Sequence, residues 1–419
     1  MLRDHFVIPS GPDGQPAIEL RAFTHGLMPK SVPAMMQRFA DDWTTRGVDA
    51  WNEVPNHWDP ADPTPVGWWT LPTYLGDRFV ARLLGAPAGT CVMQPNAHWS
   101  VQCLLSAPEP FDRGSFEDGR NEVVISATAF PSVQHSARQW VALRGFNLRV
   151  VPPGVDGFVD QQAVLDAIGP KTAWVFLSHV GFTTGERLPD AFLQEAAATV
   201  HQHGGLCALD GYHANATMPI DVQALGIDVY VGGLLKEASG SSGNGILYVR
   251  DGLALTPALT GWFGDAAPFA FNATPESHPE VRRRFLGGTT AVASLYHAVE
   301  GVRALLDVGL DAVRADSLAK TTRAIERAEA VGLRLRSPRE AERRSAMVIV
   351  EVESADLLCE FLKTRGVYTD SRQGRFLRFA PWIWNTMDEV ERALDEIATA
   401  IRSGSHRAFE APIPAGPVT

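Results

Sequence analysis

Between residues 121 and 249, short apolar, β-rich runs alternate with helix-forming stretches, and this alternation restricts the possible folds more than any other feature. The runs fall at 121–127, 173–178, 206–210, 227–231 and 245–249, and 190–203 (DAFLQEAAATVHQH) is one of the helical patterns between them. Strands alternating with helices give a mostly parallel sheet with helices on both faces. Runs this apolar suit strands buried on both sides. In such sheets ligands bind beyond the carboxyl ends of the strands, and there the sequence turns polar. LCALD ends in Asp210, AWVFLS leads into His179, and SATAF delivers Phe130.

After residue 290 the texture changes. Long amphipathic helices are expected over 290–308 and 310–331, strands over 345–352 and 377–381, and a closing helix over 387–401. The expected organisation is an N-terminal arm with part of a small domain (1–85), a large domain (86–290), a small α+β domain (291–402) and a mobile tail (403–419). The arm is rich in Trp and Pro, and Trp68, Trp69, Trp99 and His25 are either core or the wall of a pocket for a bulky group. A net charge of −11 argues against nucleic acid or an anionic membrane as partner. No run approaches a membrane span, and the first residues lack the basic and apolar blocks of a secretion signal. The four cysteines, Cys91, Cys103, Cys207 and Cys359, form no C-x-x-C pair, which fits buried thiols in a reducing cytoplasm. The histidines show no metal-ligand spacing, so no metal is expected.

Lysine is scarce: the chain has five, and Lys236 stands between the apolar run IDVYVGGLL and the loop EASGSSGNG. Desolvation lowers a lysine pKa, and the neutral amine can condense with an aldehyde. Pyridoxal phosphate is the commonest such aldehyde, and it requires a set of partners. A carboxylate must pair with its ring nitrogen, and Asp210 is semi-buried at a strand end. His213, three residues on, can reach the ring's phenolic oxygen, and Phe130 can stack on its face. The helix opened by PNAHWS presents backbone N–H groups at Asn96, Ala97 and His98 for a phosphate. Arg378, in the strand-like FLRFAP, can grip a carboxylate through two donors. Each residue alone has an ordinary structural role: Asp210 a helix cap, Phe130 core, His213 a satisfied histidine, Arg378 an ion pair, Lys236 a surface charge. Their joint order, with Asp210 about one strand–helix–strand step before Lys236, favours the functional reading.

Further segments carry a resemblance. THGLMPKSVPAMMQ with WTTRGVDAWNE, WWTLPTYLGDRFVARLLGA, AFPSVQH, SHVGFTTGERLP, LDGYHANATMPIDVQALGIDVYVGG, TGWFG, FLGGTTAVASLYHAVEGV and GVYTDSRQGRFLRFAP occur in that order. Together they resemble the pyridoxal-phosphate enzymes of fold type I in the class V aminotransferase group, and within it the kynureninases. The resemblance implies a large α/β domain with a mostly parallel seven-stranded sheet plus a small α+β C-terminal domain. It implies Lys236 as the Schiff-base lysine, Asp210 as the pyridinium partner and His213 as the histidine of the Asp-x-x-His segment. Phe130 would be the stacking aromatic, and Asn96, Ala97 and His98 the phosphate-binding turn. Trp262 would lie near the phosphate, Thr289 would contact it from a second subunit, and Arg378 would take the substrate carboxylate. A homodimer with shared active sites follows from the same resemblance.

The chain departs from the kynureninase pattern in several places. Leu235 stands where those enzymes carry a tyrosine before the lysine. Val133 replaces the aspartate of Phe-Pro-Thr-Asp, Gly181 and Phe182 replace Asn-Tyr, and ASGSSGNG replaces Gly-Gly-Pro-Gly. Ser239, Ser241 or Ser242 are candidates to restore phosphate contacts. The implied activity is cleavage at the β-carbon of an α-amino acid, with hydrolytic release of an acyl group. The alternatives are β-elimination or C–S lysis, oxidative deamination, epimerisation, or a non-catalytic binding protein of the same fold.

Overall fold

The computed structural model describes residues 2–111 and 119–409. A short strand, β1 (Ile18–Glu19), lies in the N-terminal arm. The large sheet contains β2 (Cys91–Gln94), β3 (Glu122–Ser126), β4 (Asn147–Val151), β5 (Thr172–Ser178), β6 (Leu206–Asp210), β7 (Val229–Gly233) and β8 (Gly245–Val249). Its seven strands are ordered β2-β8-β7-β6-β5-β3-β4. Strands β3 to β7 pair in parallel, and β8 is antiparallel to both neighbours. The central strands β6 to β8 are buried almost throughout, as runs without polar alternation require.

The two strands of the large sheet not anticipated from periodicity are β2 and β4. The first has four residues. The second is an edge strand whose residues alternate between exposed and half-buried, so its sequence NLRVV carries a weaker burial signal. The expected helix over 290–308 is two helices, Val292–His297 and Glu300–Val308. The carbonyl of Ser294 accepts from Asn244 Nδ2 at 3.2 Å, which ties the helix to the lysine loop one turn before the break.

The smaller sheet contains β9 (Arg334–Leu335), β10 (Val348–Glu351), β12 (Asp370–Arg372) and β13 (Phe376–Phe379), in the order β12-β13-β10-β9. Strand β11 (Val367–Tyr368) pairs in parallel with β1 as a separate two-stranded sheet, and Ile18 and Leu20 of the arm pack in one core with Val350 and Leu377 of the smaller sheet. The rest of the arm is anchored by buried polar contacts. Trp68 Nε1 donates to the Tyr296 hydroxyl at 2.8 Å, and that hydroxyl donates to Asp42 at 2.7 Å. Beyond the closing helix Met387–Ser403 the chain folds back, with His406 buried and its Nδ1 2.9 Å from the Ala400 carbonyl. Packing thus continues past the expected start of a tail at residue 403, while positions 410–419 lie outside the described residues.

Candidate active site

Strands β5, β6 and β7 end together at one edge of a cavity of about 270 Å³. Asp210, the last residue of β6, lines it, as do Tyr212 and His213 from the turn that follows. Lys236 enters from the turn between β7 and β8. Asn96, Ala97 and His98 open the helix Ala97–Ser106, and Phe130 lies across the mouth. Seven of the ten expected site residues therefore line this space, and Arg378 lies just behind it.

The helix at Ala97 begins where it does because Asn96 caps it, its side chain accepting from Trp99 N–H at 2.8 Å. The first N–H groups of a helix have no intrahelical partner, so those of Ala97 and His98 are available to an anion at the cavity wall. Strand β7 ends in two glycines for a steric reason. A Cβ on Gly233 would lie 2.5 Å from the Tyr212 hydroxyl, so glycine gives Tyr212 room to lie beside the lysine.

Lys236 Nζ lies 2.8 Å from His213 Nε2. It also sits 4.6 Å from the Tyr212 ring centroid and 5.7 Å from that of Phe130. Burial drives the lysine pKa down to about 8, opposed by the Glu237 and Asp210 carboxylates. Burial raises Asp210 above the usual carboxylate range, against the N–H of Tyr212, which donates to Oδ1 at 3.0 Å, and the charge of Lys236. Among the described residues the Asp210 side chain forms no other hydrogen bond and no ion pair within 4 Å, leaving a carboxylate oxygen to receive a cationic ring N–H. Burial also holds His179 and His213 neutral, His179 at a pKa of about 3.

Arg378 is 2% exposed. Its Nε and Nη2 donate to Asp370 at 3.2 and 3.0 Å, and its Nη1 donates to the Phe182 carbonyl at 2.8 Å. The guanidinium has five N–H donors. One therefore remains on each terminal nitrogen, beside a residue whose side chain lines the cavity. The arginine is held in an internal ion pair, and any substrate carboxylate must use those two remaining donors.

Trp262 and Thr289 do not line the cavity. Trp262 is 41% exposed and packs among Trp69, Phe263, Phe269 and Phe271, with ring centroids 4.8 to 5.9 Å away. Thr289 lines a separate surface cleft with Trp262 and Trp69. Within one chain, the segment after β8 carries both residues away from Lys236. Ser239, Ser241 and Ser242 do not reach the cavity either. The first two adopt left-handed backbone, with φ of 55° and 60°, and Ser239 Oγ is buried without a partner. Trp68 is core, and His25 lines another cleft with Arg21 and Thr24. Two residues went unnoticed in the sequence. Tyr212 lies inside the segment that gives Asp210 and His213, and Glu237 directly follows the lysine. An acidic residue beside a lysine predicted to be buried was the available signal.

An amine poised near neutrality, a buried carboxylate, an aromatic face and a helix N-terminus around one cavity form the donor set that pyridoxal phosphate requires, and together with the sheet they define a fold-type-I pyridoxal-phosphate enzyme. A family model for class V aminotransferases matches residues 86–375, and the chain belongs to that family. A kynureninase of Burkholderia pseudomallei (strain 1106a) is 28% identical over 412 residues, covering 94% of this chain and 92% of that protein. An uncharacterized aminotransferase, YcbU, of Bacillus subtilis (strain 168) is 28% identical over 323 residues, covering 76% and 81%. Among solved structures, the apo cysteine desulfurase of Thermococcus onnurineus NA1 superposes with a TM-score of 0.76 at 18% identity, covering 95% of this chain and 99% of that one. A mutant C-DES with glycine covalently linked to its pyridoxal-phosphate cofactor gives 0.76 at 16% identity, covering 94% and 98%. No helix among the described residues is long and apolar enough to cross a membrane.

Proposed function

We propose that the chain cleaves an α-amino acid at its β-carbon by hydrolytic release of an acyl group, with Lys236 as cofactor anchor and proton carrier. The observation that carries this reading is the placement of Lys236, Asp210 and His213 around one cavity, with the free donors of Arg378 beside it. When bound, the cofactor supplies a carbonyl for the amino group and an electron sink for the carbanion. Asp210 holds a proton on the ring nitrogen. Lys236, freed by the substrate amine, removes and returns the α-proton as base and acid. Phe130 covers the ring, Ala97 and His98 hold the phosphate through backbone N–H groups, and Arg378 orients the substrate carboxylate.

The cysteines weigh against persulfide chemistry. All four are buried free thiols, and none lines the cavity. Burial pushes Cys91 and Cys103 up to about 12 and Cys359 up to about 11, far from the thiolate such chemistry needs. The unpaired thiols support a reducing, cytoplasmic setting. Exposed aromatic surface supports a homodimer that brings Thr289 and Trp262 of one subunit to the other's cofactor: Trp43, Phe269 and Phe271 are 62%, 56% and 74% exposed. The activity is tested by incubating the cofactor-loaded enzyme with β-acyl amino acids such as kynurenine and identifying products by mass. Alanine plus a carboxylic acid supports the reading. Pyruvate with ammonia assigns elimination instead, and an unchanged substrate pool across the panel removes the hydrolytic assignment.

A further inference from the structure

Glu237 is 2% exposed, and its Oε2 has no hydrogen-bond partner. Its Oε1 lies 3.9 Å from His213 Nδ1, which is itself buried and without a partner. The other nitrogen of the same ring is 2.8 Å from Lys236 Nζ. A carboxylate, an imidazole and an amine are thus aligned, two of them on neighbouring residues and the third reaching in from the turn after β6. Leaving a buried carboxylate and a buried ring nitrogen unpaired is costly, and from 3.9 Å a small approach would let the two satisfy each other. The backbone at Glu237 is fixed independently, because Trp382 Nε1 donates to its carbonyl at 3.1 Å. Separations of this kind are often long in a site without substrate and shorten when it fills.

We propose that Glu237 is a positioning residue that accepts Nδ1–H of His213, so that the bare Nε2 of His213 takes the proton from Lys236 and a proton relay joins all three. The transfer balances internally. The Lys236 ammonium gives one proton to His213 Nε2, His213 Nδ1–H passes to the Glu237 carboxylate, and the charge of the group stays at zero. The neutral amine needed for imine formation then arises without water entering the cavity. The relay rests on Lys236 being the cofactor anchor.

The groups facing Lys236 are His213, Glu237, Asp210, Tyr212, Arg378 and Arg372. Burial raises Glu237 to about 8, while Lys236 and Arg378 oppose that rise. Removing the Glu237 charge takes an anion from Lys236 and lowers its pKa, because the desolvation that remains favours the neutral amine.

The test uses cofactor-free protein, labelled with fluorodinitrobenzene across the neutral-to-alkaline range, with Lys236 modification read by peptide mass spectrometry. Wild type should inflect near pH 8, and E237Q should inflect about one unit lower, a roughly tenfold faster labelling at neutral pH. Nitrogen NMR of the histidines, with H213N to assign the resonance, should show the proton on Nδ1 in wild type and on Nε2 in E237L, whose side chain accepts no hydrogen bond. An unmoved inflection in E237Q, a proton still on Nδ1 in E237L, or a wild-type proton on Nε2 overturns the relay. Borohydride fixation of pyridoxal phosphate is read separately. Attachment at a lysine other than Lys236 would defeat the functional reading while leaving the labelling result intact.

Discussion

The α-carbon of Gly26 packs so tightly against Lys236 that a Cβ on Gly26 would lie 2.2 Å from the Lys236 carbonyl oxygen and 2.4 Å from Ser239 Oγ. The N–H of Gly26 also donates to the Leu235 carbonyl at 3.0 Å. The N-terminal arm therefore holds the turn that carries Lys236 in place. Gly26→Ala must push that turn away, at a cost of about 1–3 kcal/mol for overpacking. The expected outcome is a lower melting temperature together with weakened cofactor attachment, measured by thermal denaturation and by borohydride fixation. Normal attachment in a stable Gly26→Ala protein would show that the arm does not position the lysine.

Lys236→Ala should abolish covalent fixation of the cofactor and its imine absorbance. Asp210→Asn should keep the fold but lower kcat/KM at least about 100-fold, because the carboxylate that stabilises the charged ring is gone. Steady-state kinetics alongside circular dichroism separates this outcome from misfolding.

Arg378→Gln leaves Asp370 buried with Arg372, at 2.6 Å, and the Thr24 hydroxyl, at 3.3 Å, against its carboxylate. Breaking a buried pair from one side costs roughly 3–5 kcal/mol, and the remaining Arg372 contact should keep the loss near the lower end. Denaturant unfolding measures it. If the arginine also receives substrate, KM for a carboxylate substrate should rise more than that for its carboxamide analogue.

His179 is buried with both ring nitrogens unpartnered, and its pKa falls to about 3 from an ordinary 6.5. Between those values the unfolded chain binds a proton that the folded chain refuses. Its contribution is therefore fully present above pH 6.5 and is lost as pH falls toward 3, by up to about 1.4 kcal/mol per pH unit. His179→Leu should flatten acid unfolding across that window, as followed by tryptophan fluorescence against pH.

Phe271→Asp combined with Trp43→Asp places charge on the exposed aromatic surface. Sedimentation velocity should show a dimer for the wild type and a monomer for this variant, with cofactor retention reduced if Thr289 acts across the interface. A wild-type protein that sediments as a monomer at micromolar concentration would remove the shared-site reading.

The large sheet was legible because its central strands are apolar throughout and end in polar residues. Strand periodicity and the position of Asp210 at the end of LCALD are local properties, written in consecutive residues. The lysine could be picked out because an ammonium after an apolar run is expensive if the chain buries it. The edge strand at Asn147–Val151 was harder to read, since half its surface faces solvent and it needs no continuous apolar run. The split of the 290–308 helix was also hidden, because a loop far along the chain ties down Ser294.

By itself the sequence determined the class of sheet and its polar strand ends, with Asp210 closing one strand and Lys236 following another, since burial and periodicity act between near neighbours. Only the tertiary structure decided that Arg378 is locked to Asp370, that Trp262 and Thr289 turn away from Lys236 within one chain, and that Glu237 lies beside His213. Those relations depend on distances between residues brought together by packing, and local spacing carries no record of them.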